Sequence, residues 1–550
     1  MLPSGRAGAE APRPIEYVAA DLGLLPDEVE PCGRHAAKVG PAALARLSRV
    51  PSGRLVLVTS VTPTPAGEGK TTMAIGLLDA LRRLGVRAAL TLRQPSLGPV
   101  FGLKGGGGGG GRARVVPLET LNLHLTGDLH AVAAAHNLAA AMLDNHLHRG
   151  NALGILPESI RWPRAVDAND RALRRVRLGL GGPGNGPERD GEWIVTAASE
   201  VMAALALADG IADLRRRLGR MAVARRQGGL LATLEDLRVA GAMAALLAEA
   251  AKPNLLQTLE GSPVLVHAGP FGNVAHGCSS LAAARLALRL ADLVVTEAGF
   301  GADLGAEKFF DIKCRIGELR PSAAVLVATV RALRAHGSGG AGPEAMRGGA
   351  ENLARCVGIL REFGVPVVVA VNAFPSDGEA ERAAICRAGL EAGARAAVVA
   401  SPWADGGSGS LELAAAVRAA AAEGAPGFRF LYPDELPLAA KVEAVATRVY
   451  GADGVDWLGG SAGEIGDLES LGFGRLPVCM GKTHLSLSHD PSLGASPRGF
   501  RLPVREVRLA AGAGFVTVLS GEVRLMPGLP AHPAAEEIDV DAAGRITGLR

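Results

Sequence analysis

Residues 60–72 read SVTPTPAGEGKTT, and this stretch decides the fold. Before it, LVLVTSV (55–61) is a short β-branched apolar run; after it, TTMAIGLLDALRRL (71–84) has helix-forming composition. The order is strand, loop, helix. In a Walker loop the N–H groups of a glycine-rich turn and a helix N-terminus point at phosphate oxygens, a lysine neutralises the outer phosphates, and Ser or Thr holds magnesium. Lys70 and Thr71 have the residue types for those roles. Thr64, Pro65, Ala66, Gly67, Glu68 and Gly69 complete the expected ATP-binding loop. The usual pattern opens with glycine six positions before the lysine, where this chain has Thr64. The alternative is an ordinary turn made by Gly67 and Gly69.

A chain of 550 residues with 48% hydrophobic content suits roughly two to four domains with ample cores. The net charge of +3 is small, and no basic run is interleaved with aromatics, which argues against a nucleic-acid partner. Ala323–Val330 is interrupted by Arg331 and Arg334, and no stretch approaches the roughly 20 apolar residues of a membrane span. The opening MLPSGRAGAEAPRP lacks an apolar segment before Pro14, so no secretory signal is expected and the default location is cytoplasmic. Cys32, Cys278, Cys314, Cys356, Cys386 and Cys479 are scattered, without C-x-x-C or zinc-ligand spacing, and read as reduced and mostly structural. Aromatics make up only 3%, so an aromatic in a loop carries more information than usual.

Strand-like runs recur at 55–61, 87–92, 264–267, 293–296, 324–328, 365–371 and 396–400. Segments with helical periodicity lie among them, at 129–147, 198–221, 231–251, 279–291 and 411–422. The alternation predicts an α/β, P-loop nucleoside-triphosphate-hydrolase-like architecture: a mainly parallel sheet with additional smaller α/β and β-rich domains. The expected division is a nucleotide-binding catalytic domain over 1–360, a second α/β domain over 361–450 and a β-rich module over 451–550. KGGGGGGG (104–111) reads either as a flexible linker or as backbone that closely approaches a ligand.

Ligands of such sheets sit at the carboxyl ends of strands. The run 87–92 ends in Arg93, suited to stabilising a transferred phosphoryl group, and 293–296 ends in Glu297, suited to supporting magnesium beside Thr71. The run 365–371 ends in Asn372, a candidate reader of the nucleotide base, with Phe374 close behind. Taken singly these equally suit a surface arginine, a helix cap and a turn. His124, His130 and His136 recur every six residues, out of the i, i+4 register of a helical zinc pair, and read as pocket lining or core.

Longer motifs carry a resemblance. TPTPAGEGKTT, LRQPSLGPVFGLKGG, NLHLTGDLHA with AHNLAAA, NDRALR, ASEVMA, KPNLLQTLE, GPFGNVAHG, TEAGFGADLGAEKF, VATVRALRAHGSGG and MPGLP occur in order. Together they resemble the formate–tetrahydrofolate ligases from about residue 14 onward. The resemblance implies that formate attacks the γ-phosphate of magnesium ATP to give formyl phosphate. N10 of tetrahydrofolate then attacks the formyl carbon, releasing phosphate and 10-formyltetrahydrofolate. By motif, Lys70, Thr71 and Arg93 serve the phosphate and the intermediate, while Phe374 and Trp403, in SPWADGG, sandwich the pterin. A homotetramer and a response to monovalent cations are further implications. The chain departs from the family at Gln94 (Glu in the family), Arg112 (Tyr), Ala373 (Arg) and in GKTHLSLSHD from Gly481 (AKTQYSFSHD); the segment from Gly186 is one residue shorter. Rival readings are another P-loop carboxylate-activating ligase and a P-loop ATPase switch.

Overall fold

Side chains alternate along strand β1 (Arg54–Ser60): Leu55 and Leu57 enter one hydrophobic core, Val56 and Val58 a second. Burial on both faces is what a near-continuous β-branched run signals in a parallel sheet. In the computed structural model, which describes residues 12–337 and 343–549, β1 lies inside a sheet of twelve strands. Its parallel portion comprises β1, β2 (Ala88–Leu92), β3 (Pro263–Val266), β4 (Leu293–Glu297), β5 (Pro321–Ala328), β6 (Val367–Asn372) and β7 (Ala396–Ala400). Their spatial order is β3-β2-β4-β1-β5-β6-β7, and every neighbouring pair is parallel. Asn254–Thr258 continues the sheet antiparallel to β3, followed by the short strands Ala37–Val39 and Val29–Pro31.

The chain runs from β1 to β2 on one side of the sheet and from β4 across β1 to β5 on the other. The connection therefore reverses direction at β1, and loops on either side diverge to leave a crevice at the strands' carboxyl ends. The seven strand-like runs read from the sequence are these seven parallel strands. The helix expected after the loop is α1 (Lys70–Arg83), packed through Met73, Ile75, Leu77 and Leu81 into the second core.

Two helical expectations are corrected. The segment 198–221 is broken into Glu200–Leu207 and Ile211–Arg220, because Asp209 and Gly210, with φ +90°, turn the chain between them. Within 231–251, Leu231–Thr233 pairs with Ala222–Arg225 as a strand and only Ala240–Leu246 is regular helix. Pairing with a neighbouring strand overrides local helix propensity there. Helix Asp128–His148 and these short helices build a third core. His136 belongs to it, hydrogen-bonded to Ser199 Oγ at 2.8 Å and Pro163 O at 2.9 Å and stacked on Trp162.

The expected boundary after residue 360 lies between β5 and β6, which are hydrogen-bonded neighbours. Beyond residue 451 a four-stranded sheet runs in the order Val455–Trp457, Leu502–Ala510, Phe515–Ser520, Val478–Gly481, with helix Ser461–Ser470 against it. Leu502–Ala510 and Phe515–Ser520 form its antiparallel hairpin. Directly after Val478–Gly481, Lys482 Nζ donates to Asp303 Oδ2 at 2.7 Å, and both side chains are fully buried. Lys482 also bonds the carbonyls of Thr483 and Ser486, at 3.1 and 2.5 Å. Among the described residues no helix is long and apolar enough to cross a membrane. The leader reading falls on residues 1–14, of which 1–11 lie outside the described residues.

Deleting one member of a buried ion pair strands the other charge, at a cost of about 3–5 kcal/mol. Lys482→Met is accordingly expected to lower the thermal unfolding midpoint by several degrees and to open the 478–500 segment to protease. Unchanged melting and proteolysis would show that the C-terminal sheet is fastened by other contacts.

Candidate active site

The loop after β1 is shaped by its own side chains. Gly67 and Gly69 adopt φ of +72° and +73°, conformations that favour glycine, and a Cβ on Gly69 would stand 2.4 Å from Asn372 Nδ2. Glu68 is buried. Its Oε1 accepts from Thr64 N and Thr64 Oγ1 at 2.8 and 2.9 Å, and its Oε2 from Thr329 Oγ1 at 2.9 Å. The carboxylate therefore folds the loop and ties it to the end of β5. Asn372 is buried at the end of β6, and its Nδ2 donates to the Glu68 carbonyl at 3.1 Å. The candidate base reader thus grips the loop backbone through Nδ2, while its Oδ1 has no partner among the described residues. That role was hidden in the sequence, because the partner lies some 300 residues away.

Lys70, the first residue of α1, donates to Ser60 Oγ at 3.2 Å, and Ser60 Oγ donates in turn to the Phe300 carbonyl at 3.2 Å. Burial holds the Lys70 ammonium at about 8 against an ordinary 10.5; Glu68 and Glu297 raise it, while Lys104 and Arg93 lower it. Thr71 Oγ1 donates to Glu297 Oε2 at 2.7 Å, so the hydroxyl and the carboxylate expected at one metal do meet. Both are hard oxygen donors of the kind magnesium takes, with phosphate oxygens and water completing its shell.

Arg93, at the end of β2, donates through Nη1 to the Pro270 carbonyl at 3.1 Å, while its buried Nε has no partner. The guanidinium lies over the bare Cα of Gly299, where a Cβ would come within 2.9 Å of Nη2. Gln94 beside it is buried with both carboxamide atoms unpartnered, so it makes no bond to Arg93.

Sequence reasoning missed three residues that the structure brings here. Lys104 heads the glycine run; its ammonium makes no hydrogen bond or ion pair among the described residues, and it stands in the field of Arg93, Lys70 and Glu297. It is reached by solvent, yet crowding by protein and the charge of Arg93 hold it below the ordinary lysine range. Phe300 and His484 stack at 4.8 Å between centroids. The GFG of TEAGFGADLG signalled a close-packed aromatic, whereas His484 left no signal, lying far along the chain.

The glycine run is a packed element, which sets aside the linker reading. Gly109–Gly110 pairs with Ala113–Arg114, and Cβ atoms on Gly108 and Gly109 would strike Leu121 and Ile75, at 2.3 and 2.6 Å. Gly111, at φ +59°, leaves room for Trp403, whose carbonyl a Cβ there would approach to 2.1 Å. The Arg112 N–H donates to the same carbonyl at 2.9 Å. Trp403 itself is 52% exposed, a broad apolar face open to a ligand. Phe374 is half-buried with the Arg331 guanidinium 3.7 Å from its ring centroid. Lys70, Arg93 and Lys104 thus face Glu297 across one cleft, with more positive charge than the protein itself balances.

The protein-family model for formate–tetrahydrofolate ligase matches residues 6–550. The chain belongs to this family. Its relatives include the formate–tetrahydrofolate ligases of Saccharopolyspora erythraea, 55% identical over 98% of both chains, and of Roseiflexus sp. (strain RS-1), 54% identical over 98% of both. That of Symbiobacterium thermophilum is 54% identical over 98% of this chain and 97% of its own. Membership over nearly the full length accounts for the order of the long motifs.

The Glu68 clamp generates a prediction. Glu68→Ala removes the acceptor for three hydrogen bonds and is expected to cost about 1–3 kcal/mol of stability, with faster amide hydrogen exchange confined to the loop at 62–72. Glu68→Gln, which keeps one acceptor oxygen, should recover part of both. Exchange rates unchanged in Glu68→Ala would show that the loop holds its shape without the carboxylate.

Proposed function

We propose that the chain is an ATP-dependent ligase that activates formate as formyl phosphate and passes the formyl group to N10 of tetrahydrofolate, giving 10-formyltetrahydrofolate, ADP and phosphate. The observation that carries this reading is the excess of positive charge from Lys70, Arg93 and Lys104 beside the Thr71–Glu297 oxygen pair, with the exposed face of Trp403 on the adjoining glycine run. A polyphosphate supplies the missing negative charge, and a flat heterocycle suits the indole face.

In this reading residues 64–71 are the phosphate-binding loop of a P-loop-type domain. Lys70 neutralises the outer phosphates, and Thr71 and Glu297 would hold Mg2+, which when bound adds further neutralisation of phosphate charge. Formate is a poor acyl donor until one carboxylate oxygen becomes part of a phosphate leaving group. Arg93 is placed for that step: its planar fork can bond two phosphoryl oxygens, and its unpartnered Nε leaves capacity for one. N10 then attacks the formyl carbon, the carbon–oxygen bond to phosphate breaks, and the N10 proton is lost. Phe374 and Trp403 are assigned to the pterin, with 361–450 supplying this wall of the site and 451–550 forming the β-rich module. A cytoplasmic homotetramer responsive to monovalent cations completes the proposal. A carboxylate-activating ligase of another kind, or an ATPase switch, has no use for the Trp403 face.

Formation of 10-formyltetrahydrofolate should require ATP, formate and tetrahydrofolate together; hydrolysis of ATP at full rate without the other two would overturn the reading in favour of a switch. Lys70→Ala is expected to lower turnover by at least roughly 10²-fold, because its charge acts where transition-state charge develops. Trp403→Ala should weaken tetrahydrofolate binding about 5- to 30-fold while leaving ATP affinity little changed. Equal losses for both ligands, measured by equilibrium binding, would assign the indole to packing.

A further inference from the structure

His484 is held in the cleft from outside the large sheet. The buried Lys482–Asp303 pair pins the chain two residues earlier, and the imidazole then lies on Phe300, with an interplanar angle of 27°. Phe300 is the residue whose carbonyl receives the Ser60 hydroxyl, to which Lys70 donates. The ring is only partly buried, and neither ring nitrogen makes a hydrogen bond among the described residues. The charged groups that face it are Asp303, Lys482, Lys104 and Lys70. Among these charges Asp303 acts most strongly and favours the protonated ring, whereas Lys482 and then Lys104 and Lys70 disfavour it.

We propose that His484 is an anion-binding residue of this cleft, taking up a proton as a phosphate-bearing ligand enters and then pairing with it. The inference rests on the reading of the cleft as a nucleotide site. Among the protein's own groups, burial and the three lysines hold the imidazole below the ordinary histidine range, with Asp303 opposing. A phosphate group between Lys70 and Lys104 reverses that field, because each lysine's charge is now answered and the added anion attracts a proton to the nearest open base. Binding and protonation are therefore linked. A group whose pKa is higher in the bound state tightens binding as pH falls into the window between its free and bound values, and leaves affinity unaffected above both. Because the free value lies below the ordinary 6.5, that window opens on the acid side of the ordinary histidine value and extends up to the bound value. The family motif carries glutamine at this position, which donates a hydrogen bond but takes no proton, so His484→Gln isolates the linkage.

The test is NMR of the full-length protein with 13C-labelled histidine, the His484 signal being identified by its loss in His484→Gln. Titration with and without saturating MgADP should show the His484 pKa raised by about one unit or more on binding. Correspondingly, MgADP affinity should tighten roughly tenfold more in the wild type than in His484→Gln between about pH 7.5 and pH 5.5. An unmoved His484 pKa, while other signals report bound MgADP, would overturn the proposal. So would a variant whose affinity changes equally at both pH values, since that is the signature of a merely structural contact. Absence of MgADP binding by every signal would instead sink the nucleotide reading beneath it.

Discussion

The parallel pairing of Arg54–Ser60 with Leu293–Glu297 on one side and Pro321–Ala328 on the other is the constraint from which the cleft follows. The register sets Glu297 beside Val58 and Val327 beside Ser60, so three strands end at one level. The loop leaving the central strand then has Glu297 within reach of Thr71 and Thr329 within reach of Glu68. A slip of one residue would send both side chains to the opposite face of the sheet. The cores on the two faces oppose that slip, since Leu55 and Leu57 fill one and Val56 and Val58 the other. Hydrophobic alternation thus enforces catalytic geometry at a distance.

Within the cleft the governing quantity is charge imbalance. Desolvation weakens the cationic form of Lys70 and Lys104 in the empty protein, and Arg93 and the two lysines destabilise one another. Three cations held this way favour an anionic ligand, a consequence of side chains the fold forces together. Asp303–Lys482 ties the C-terminal sheet to the large sheet's domain, so residues after 478 reach the candidate site whose loop lies before residue 72.

Much of the fold was legible from one dimension. Each strand of the parallel set announced itself as a short apolar run ending in a polar or glycine-rich loop, because burial on both faces leaves little room for charged residues within it. The helices were less legible: 198–221 and 231–251 have helical composition, but strand pairing and the turn at Gly210 override it. Thr71, Glu297 and Arg93 were readable as site candidates because strand ends are where ligands gather. Asn372 was readable as a strand-end residue, but that its amide holds the Glu68 carbonyl was not. The glycine run shows the same limit. Its composition permits a linker, and only the positions of Leu121, Ile75 and Trp403 show what each missing side chain makes room for.

The sequence by itself determined the alternation of elements, the strand–loop–helix setting of Lys70 and Thr71, and, through its long motifs, the family. These depend on local spacing and residue type, which a linear string preserves. Tertiary structure alone decided that Glu68 clamps the loop, that Lys104 adds a third cation, and that His484 stacks on Phe300 within the field of Lys70. Electrostatic fields and packing act through distance in space, and His484 lies more than 400 residues from Lys70 along the chain. Sequence separation of that size carries no information about proximity until the sheet has folded and the Lys482–Asp303 pair has closed.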